Sequence, residues 1–82
     1  MRATIMYGPG DVRVEHVPDS TIIEPTDALV VVTHAAICGS DLWPYRGELQ
    51  IYGIGGRTGH EFIGVVEDVG SAVTTLRKGD HV

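Results

Sequence analysis

The sequence predicts a mainly β chain, a small barrel or sandwich, with at most a short helical turn after Cys38. Three observations point there. Residues 12–17, VRVEHV, alternate with period two, as a half-buried strand does. Residues 28–37, ALVVVTHAAI, form a nearly unbroken apolar run rich in β-branched side chains. Glycine- and proline-rich turn chemistry divides the chain at short intervals.

The elements follow in order. Residues 2–7, RATIMY, are a β-prone run, and residues 8–11, GPGD, are dense turn chemistry. With residues 12–17 they make a hairpin. Its second strand places Val12, Val14 and His16 on one face and Arg13, Glu15 and Val17 on the other. Residues 18–27 carry two prolines and three acids and read as a loop. The apolar run over 28–37 reads as a strand buried on both faces, delivering the chain to Cys38. Beyond it, Ser40 or Asp41 can cap a helix, which Pro44 limits to a turn or two, 3₁₀ included. Residues 48–59 read as a loop. Residues 60–69, HEFIGVVEDV, return to strand, residues 70–73 turn, and the last nine residues lead into one more strand.

The chain has 82 residues, enough for one small domain. Its single cysteine, Cys38, can form no internal disulfide, which favours a reducing, cytoplasmic setting. The net charge of −5 and six scattered basic residues argue against nucleic acid and against a basic membrane patch. No apolar run approaches the ~20 residues of a membrane span, and the first ten residues lack the core of a signal peptide.

The stretch GIGGRTGHEF, residues 53–62, raises the question of a phosphate loop. A dinucleotide fingerprint needs glycine at its first, third and sixth positions, ahead of a helix. Counted from Gly53, the sixth position is Thr58, and a strand follows. A Walker loop would need Gly-Lys followed by Ser or Thr, which is missing. Gly53, Gly55 and Gly56 read as loop glycines. Gly59, directly before His60, reads as a place where the backbone passes close to a neighbour.

Cys38 and His60 carry the chemistry. Thiolate and neutral imidazole suit Zn²⁺, and each stands at a predicted strand boundary, where two strand ends can converge. Glu61 adds a carboxylate. By themselves a lone Cys and a lone His are usually structural, and no zinc-finger spacing occurs. Wording across several segments adds what the pair lacks. CGSD at 38–41, GHEFIGVVEDVGSAV at 59–73 and GDHV at 79–82, in this order and spacing, resemble the zinc-dependent medium-chain alcohol dehydrogenases. The opening MRATIMYGPGDVRVE is similar to that family's first hairpin.

The resemblance implies a partial GroES-like β-barrel, with residues 1–82 forming the N-terminal portion of the catalytic domain and the nucleotide-binding domain absent. It implies that Cys38 and His60 ligate zinc, and that Glu61 lies close to the metal and can ligate it. It implies that Ser40 hydrogen-bonds the substrate alcohol and starts its proton relay, and that Asp41 holds the histidine ligand from behind. The parent would oxidise an alcohol through a zinc-bound alkoxide with NAD or NADP, and its partner would be a small alcohol or aldehyde. No residue of this chain is assigned to the nicotinamide.

Departures from the family pattern shape further expectations. The family's third protein ligand lies beyond position 82, so zinc binding by the chain alone is expected to be weak or absent, and the chain inactive. Trp43 stands where many members carry a relay histidine; it lines the substrate pocket or packs under the loop. Ser40 and Asp41 can cap the turn as well as serve the site. His16, His34 and His81 match no family role and read as structural or exposed. An incomplete barrel would expose a strand edge, predicting a homo-oligomer through edge-strand pairing. Two rivals stand beside this reading: a stand-alone GroES-like interaction module, and a metal-free quinone-reductase-type member of the same superfamily. The Cys and His-Glu donors count against the second.

Overall fold

A computed structural model of the chain describes residues 1–48 and 56–82. The described elements are β1 (Arg2–Gly8), β2 (Asp11–His16), β3 (Ala28–Ala36), a 3₁₀ turn (Gly39–Asp41), α1 (Leu42–Tyr45), β4 (Gly56–Arg57) and β5 (Glu61–Val69). They form a three-stranded sheet in the order β2-β1-β4 and a two-stranded sheet of β3 and β5. Neither sheet closes on itself, so the architecture is strand-dominated with one short helical segment. The chain divides into two compact units, one of residues 1–18 and 36–61, the other of residues 19–35 and 62–82.

In the first unit the predicted hairpin forms. β1 and β2 run antiparallel from Arg2↔His16 to Gly8↔Asp11, with an irregularity between Met6 and Gly8. The Met1 ammonium donates to the Val17 carbonyl at 2.9 Å, closing the open end. Ile5 and Met6, adjacent and so on opposite faces of β1, are both buried. Val12 and Val14 are 41% and 66% exposed, so the apolar face of β2 is not a core face. The opposite face carries a polar cluster instead. Tyr7 donates its hydroxyl hydrogen to Glu15 Oε2 at 2.6 Å, and the Arg13 guanidinium lies 4.3 Å from the Tyr7 ring centroid.

β4 falls inside the segment expected to be loop. It pairs antiparallel with β1 through Ile5↔Arg57 and Met6↔Gly56. Thr4 reinforces it, donating its hydroxyl hydrogen to the Thr58 carbonyl at 2.9 Å. A two-residue strand has no periodicity to read; only its partner defines it. Gly53 and Gly55, with the rest of residues 49–55, lie outside the described residues.

The helical segment is as short as Pro44 requires. It ends when Glu48 N–H donates to the Trp43 carbonyl at 3.0 Å and Gly47 N–H to the Pro44 carbonyl at 3.1 Å. These two bonds are the paired closure of a helix C-terminus. Gly10 N–H donates to the Tyr45 carbonyl at 2.8 Å, tying the hairpin turn to α1.

In the second unit, contacts between β3 and β5 step in opposite directions: Thr33 Oγ1 donates to the Ile63 carbonyl, and Gly70 N–H to the Asp27 carbonyl. The strands are therefore antiparallel. Gly64 lies where a Cβ would collide with the Val31 carbonyl and a Val30 methyl. Val66, 1% exposed, is the centre of this unit.

β3 departs from expectation. It was predicted to be buried on both faces, yet Val31 and Val32 are 51% and 52% exposed. Among the described residues its sheet has two strands; a sheet partner pairs a strand's edge, whereas burial on both faces takes a packed layer on each side. The final predicted strand is likewise reduced to a bridge between Val65 and His81. It follows a tight turn over residues 77–80, in which the Asp80 carboxylate accepts from Arg77 N–H at 2.9 Å, and backbone bonds join Gly79, Asp80 and Val82 to Val66 and Gly64.

Candidate metal centre

The site begins with how the chain leaves β3. Cys38 is extended, with φ −84° and ψ 149°, and stands at the N-cap of the 3₁₀ turn. Asp41, at the third turn position, sends its carboxylate back to the Cys38 backbone. Its Oδ2 accepts from Cys38 N–H at 2.9 Å, while Asp41 N–H donates to the Cys38 carbonyl at 3.0 Å. The return bond from Asp41 is half of a capping box, with Asp in the role usually taken by Glu or Gln; the other half joins the Cys38 side chain to the Asp41 backbone. Ser40 caps nothing. It is exposed, and its hydroxyl donates to Cys38 Sγ at 3.3 Å.

His60 reaches the same place from the other direction. Gly59, just before it, has φ +98°, a left-handed value that side chains other than glycine's adopt only with strain. Among the described residues, no neighbour lies within 4 Å of where a Gly59 Cβ would be. Among them the close approach expected there is not found; the backbone turn itself demands glycine. His60 Nε2 then lies 3.4 Å from Ser40 Oγ, and Nδ1 lies 3.2 Å from Asp41 Oδ1. The second distance fits an ion pair but lacks the alignment of a hydrogen bond. Asp41 Oδ1, shielded from solvent, has no hydrogen-bond partner among the described residues. Glu61 opens β5 directly after.

Donor atoms of Cys38, His60 and Glu61 all lie within 4.8 Å of one another. Among the described residues this is the one such group of three. All the named residues belong to the first unit. Sulfur, imidazole nitrogen and carboxylate oxygen are donor types that suit Zn²⁺, and at this spacing the three would be able to hold one ion together. Thiol and imidazole also shift each other's proton affinity. The hydrogen bond from Ser40 holds the Cys38 thiol below its usual value, with His60 adding to the effect and Glu61 opposing it. The contact with Cys38 raises the His60 imidazole, and the Asp41 charge adds to it. The two shifts belong to one thiol–imidazole pair: the thiol moves toward thiolate and the ring toward imidazolium, which must lose its proton before it can ligate a metal.

The structure gathers Cys38, Ser40, Asp41, His60 and Glu61 in one place. Trp43 is 54% exposed on α1. His16, His34 and His81 are exposed and stand outside the cluster. Sequence reasoning missed the bond from Asp41 to the Cys38 backbone. The signal was there, because C-x-x-D has the N-cap-to-N3 spacing of a capping box.

The family profile described as "Alcohol dehydrogenase GroES-like domain" matches residues 24–82, which include all five residues of the cluster. The chain belongs to the alcohol dehydrogenase GroES-like domain family. Over its whole length this GroES-like domain chain is 44% identical to zinc-type alcohol dehydrogenase B of Aspergillus flavus, of which it covers 19%. It is also 44% identical to an uncharacterized zinc-type alcohol dehydrogenase-like protein, AdhB, of Bacillus subtilis, covering 22%. Among solved structures it is similar to alcohol dehydrogenase TADH from Thermus sp. ATN1, with 42% identity and a TM-score of 0.91 over 99% of this chain and 23% of that one. The chain therefore spans about a fifth of the length of these relatives. No described helix is long and apolar enough to cross a membrane.

Proposed function

We propose that the chain is the metal- and alcohol-binding first part of a zinc-dependent, NAD(P)-linked alcohol dehydrogenase. The observation that carries this reading is the convergence of the Cys38, His60 and Glu61 donor atoms within 4.8 Å, with Asp41 behind the imidazole. The zinc-type names of the relatives support it. In this proposal Cys38, His60 and Glu61 hold zinc. Zinc there would supply Lewis acidity toward an alcohol oxygen, and NAD or NADP would supply the hydride acceptor.

The chain's own residues do the rest. Asp41 keeps a proton on His60 Nδ1, which leaves Nε2 bare on the side of Ser40 and Cys38. The Ser40 hydroxyl, exposed beside Cys38 Sγ, is placed to take a proton from an alcohol and pass it to solvent. A small alcohol or aldehyde is the substrate class, and the cytoplasm the setting, resting on the lone thiol. In this proposal the 82-residue chain by itself binds zinc weakly or not at all and does not catalyse hydride transfer.

Metal analysis and turnover of a full-length enzyme carrying this segment test the reading. Cys38→Ala and His60→Ala should each abolish alcohol oxidation and lower bound zinc. Retention of both zinc and activity by either variant would overturn it. Turnover by the 82-residue chain with NAD(P) and simple alcohols would overturn the claim that it is inactive.

A further inference from the structure

β2 is an outer strand. The sheet order β2-β1-β4 gives it β1 on one side and, among the described residues, no strand on the other. Which of its backbone groups are left over follows from the open end of the hairpin. There the Met1 ammonium donates to the Val17 carbonyl and Val17 N–H to the Met1 carbonyl, each at 2.9 Å. Antiparallel pairs alternate between bonded and non-bonded, so Ala3↔Glu15 and Ile5↔Arg13 are bonded pairs. Arg2↔His16, Thr4↔Val14 and Met6↔Val12 are the non-bonded ones. The N–H and C=O groups of Val12, Val14 and His16 therefore point away from β1, along the open edge. An edge of this kind is a template for another strand, and β2 carries no lysine or proline to block one.

The strand is also complementary to itself. Turned antiparallel about Val14, a second copy of β2 sets Val14 opposite Val14, Val12 opposite His16, and Arg13 opposite Glu15. The first two are bonded pairs that use the outward groups. Arg13 and Glu15 fall at a non-bonded pair, where facing side chains stand closer. Both have capacity to spare. Arg13 holds Asp11 through Nε and Nη2, leaving Nη1, and Glu15 takes the Tyr7 hydroxyl on Oε2, leaving Oε1. Val14, 66% exposed, comes against its own twin. The neighbouring registers that use the same outward groups put Arg13 opposite Arg13, or Glu15 opposite Glu15, and like charges repel.

We propose that the β2 edge is an interface between two copies of this chain, paired antiparallel about Val14 and held in register by Arg13 and Glu15. The two three-stranded sheets then continue as one, and two-fold symmetry ends the growth through this edge at a dimer. The proposal stands apart from the metal-centre reading and uses none of its residues.

Amide hydrogen exchange and light scattering, each at low and high chain concentration, test it. The amides of Val12, Val14 and His16 should slow by about tenfold or more at high concentration, while those of Arg13 and Glu15, already bonded to β1, change little. Arg13→Glu and Glu15→Arg each bring like charges together, and each should remove the protection. An equimolar mixture of the two variants should restore it, because each then offers the other opposite charges. Should either variant fail to fold by circular dichroism, the wild-type chain decides: edge protection that weakens as salt rises supports the pairing, and protection indifferent to salt overturns it. A chain that scatters as a monomer throughout, association that leaves the three edge amides unprotected, or protection that survives either folded variant would overturn the proposal. Protection that appears on β2 together with an edge of β3 or β5 would mean pairing with a different strand, and overturns it as well.

Discussion

At Gly59 a single residue sets where His60 points. Its φ of +98° is one that an alanine adopts only at a cost of about 1–2 kcal/mol. With open space around its Cβ position, Gly59→Ala should fold and lose stability by that amount in a urea titration. An unchanged midpoint would mean the backbone relaxes there freely. Asp27 gives the second prediction at this scale. Its carboxylate accepts from Glu24 N–H at 2.9 Å and from Ile23 N–H at 3.1 Å, and these bonds hold its pKa below the ordinary carboxylate value. A depressed folded-state pKa means stability that is fully present above the unfolded value and lost as pH falls through the folded one. Asp27→Asn should lower stability at neutral pH and flatten the loss below about pH 4, where unfolded Asp titrates. Parallel acid limbs for the two proteins would refute the assignment.

Among elements, β3 and β5 depend on one close approach. At Gly64 a Cβ would strike the Val31 carbonyl, which is backbone and cannot swing aside. Gly64→Ala should therefore push the strands apart and cost about 1–3 kcal/mol, as overpacking does. Faster amide exchange along β5, with β1 and β2 unchanged, would be the signature. Exchange that rises equally in β1 would place the strain elsewhere. The 3₁₀ turn and α1 behave differently: their order comes from end closures, Asp41 at the start and the Gly47–Glu48 bonds at the end, rather than from length.

The chain as a whole leaves much apolar surface open among its described residues, including Val31, Val32, Phe62 and Ile63, each more than half exposed. Such surface favours association. Light scattering on the purified chain should show self-association that rises with concentration, and Val32→Lys should reduce it by placing charge on the strand. A monomer at all concentrations would refute this. Sequence alone determined the hairpin, the extent of the helical turn, and which side chains could form the metal centre. These rest on neighbours in the chain: alternation, turn residues, a proline, and the C-x-x-D and G-H-E wording. Only the tertiary structure decided that β4 exists, that β3 is open to solvent, and that one carboxylate of Asp41 serves both Cys38 and His60. A strand of two residues is defined by its partner, burial by what lies opposite, and a shared carboxylate by where distant segments meet, none of which a run of adjacent residues contains.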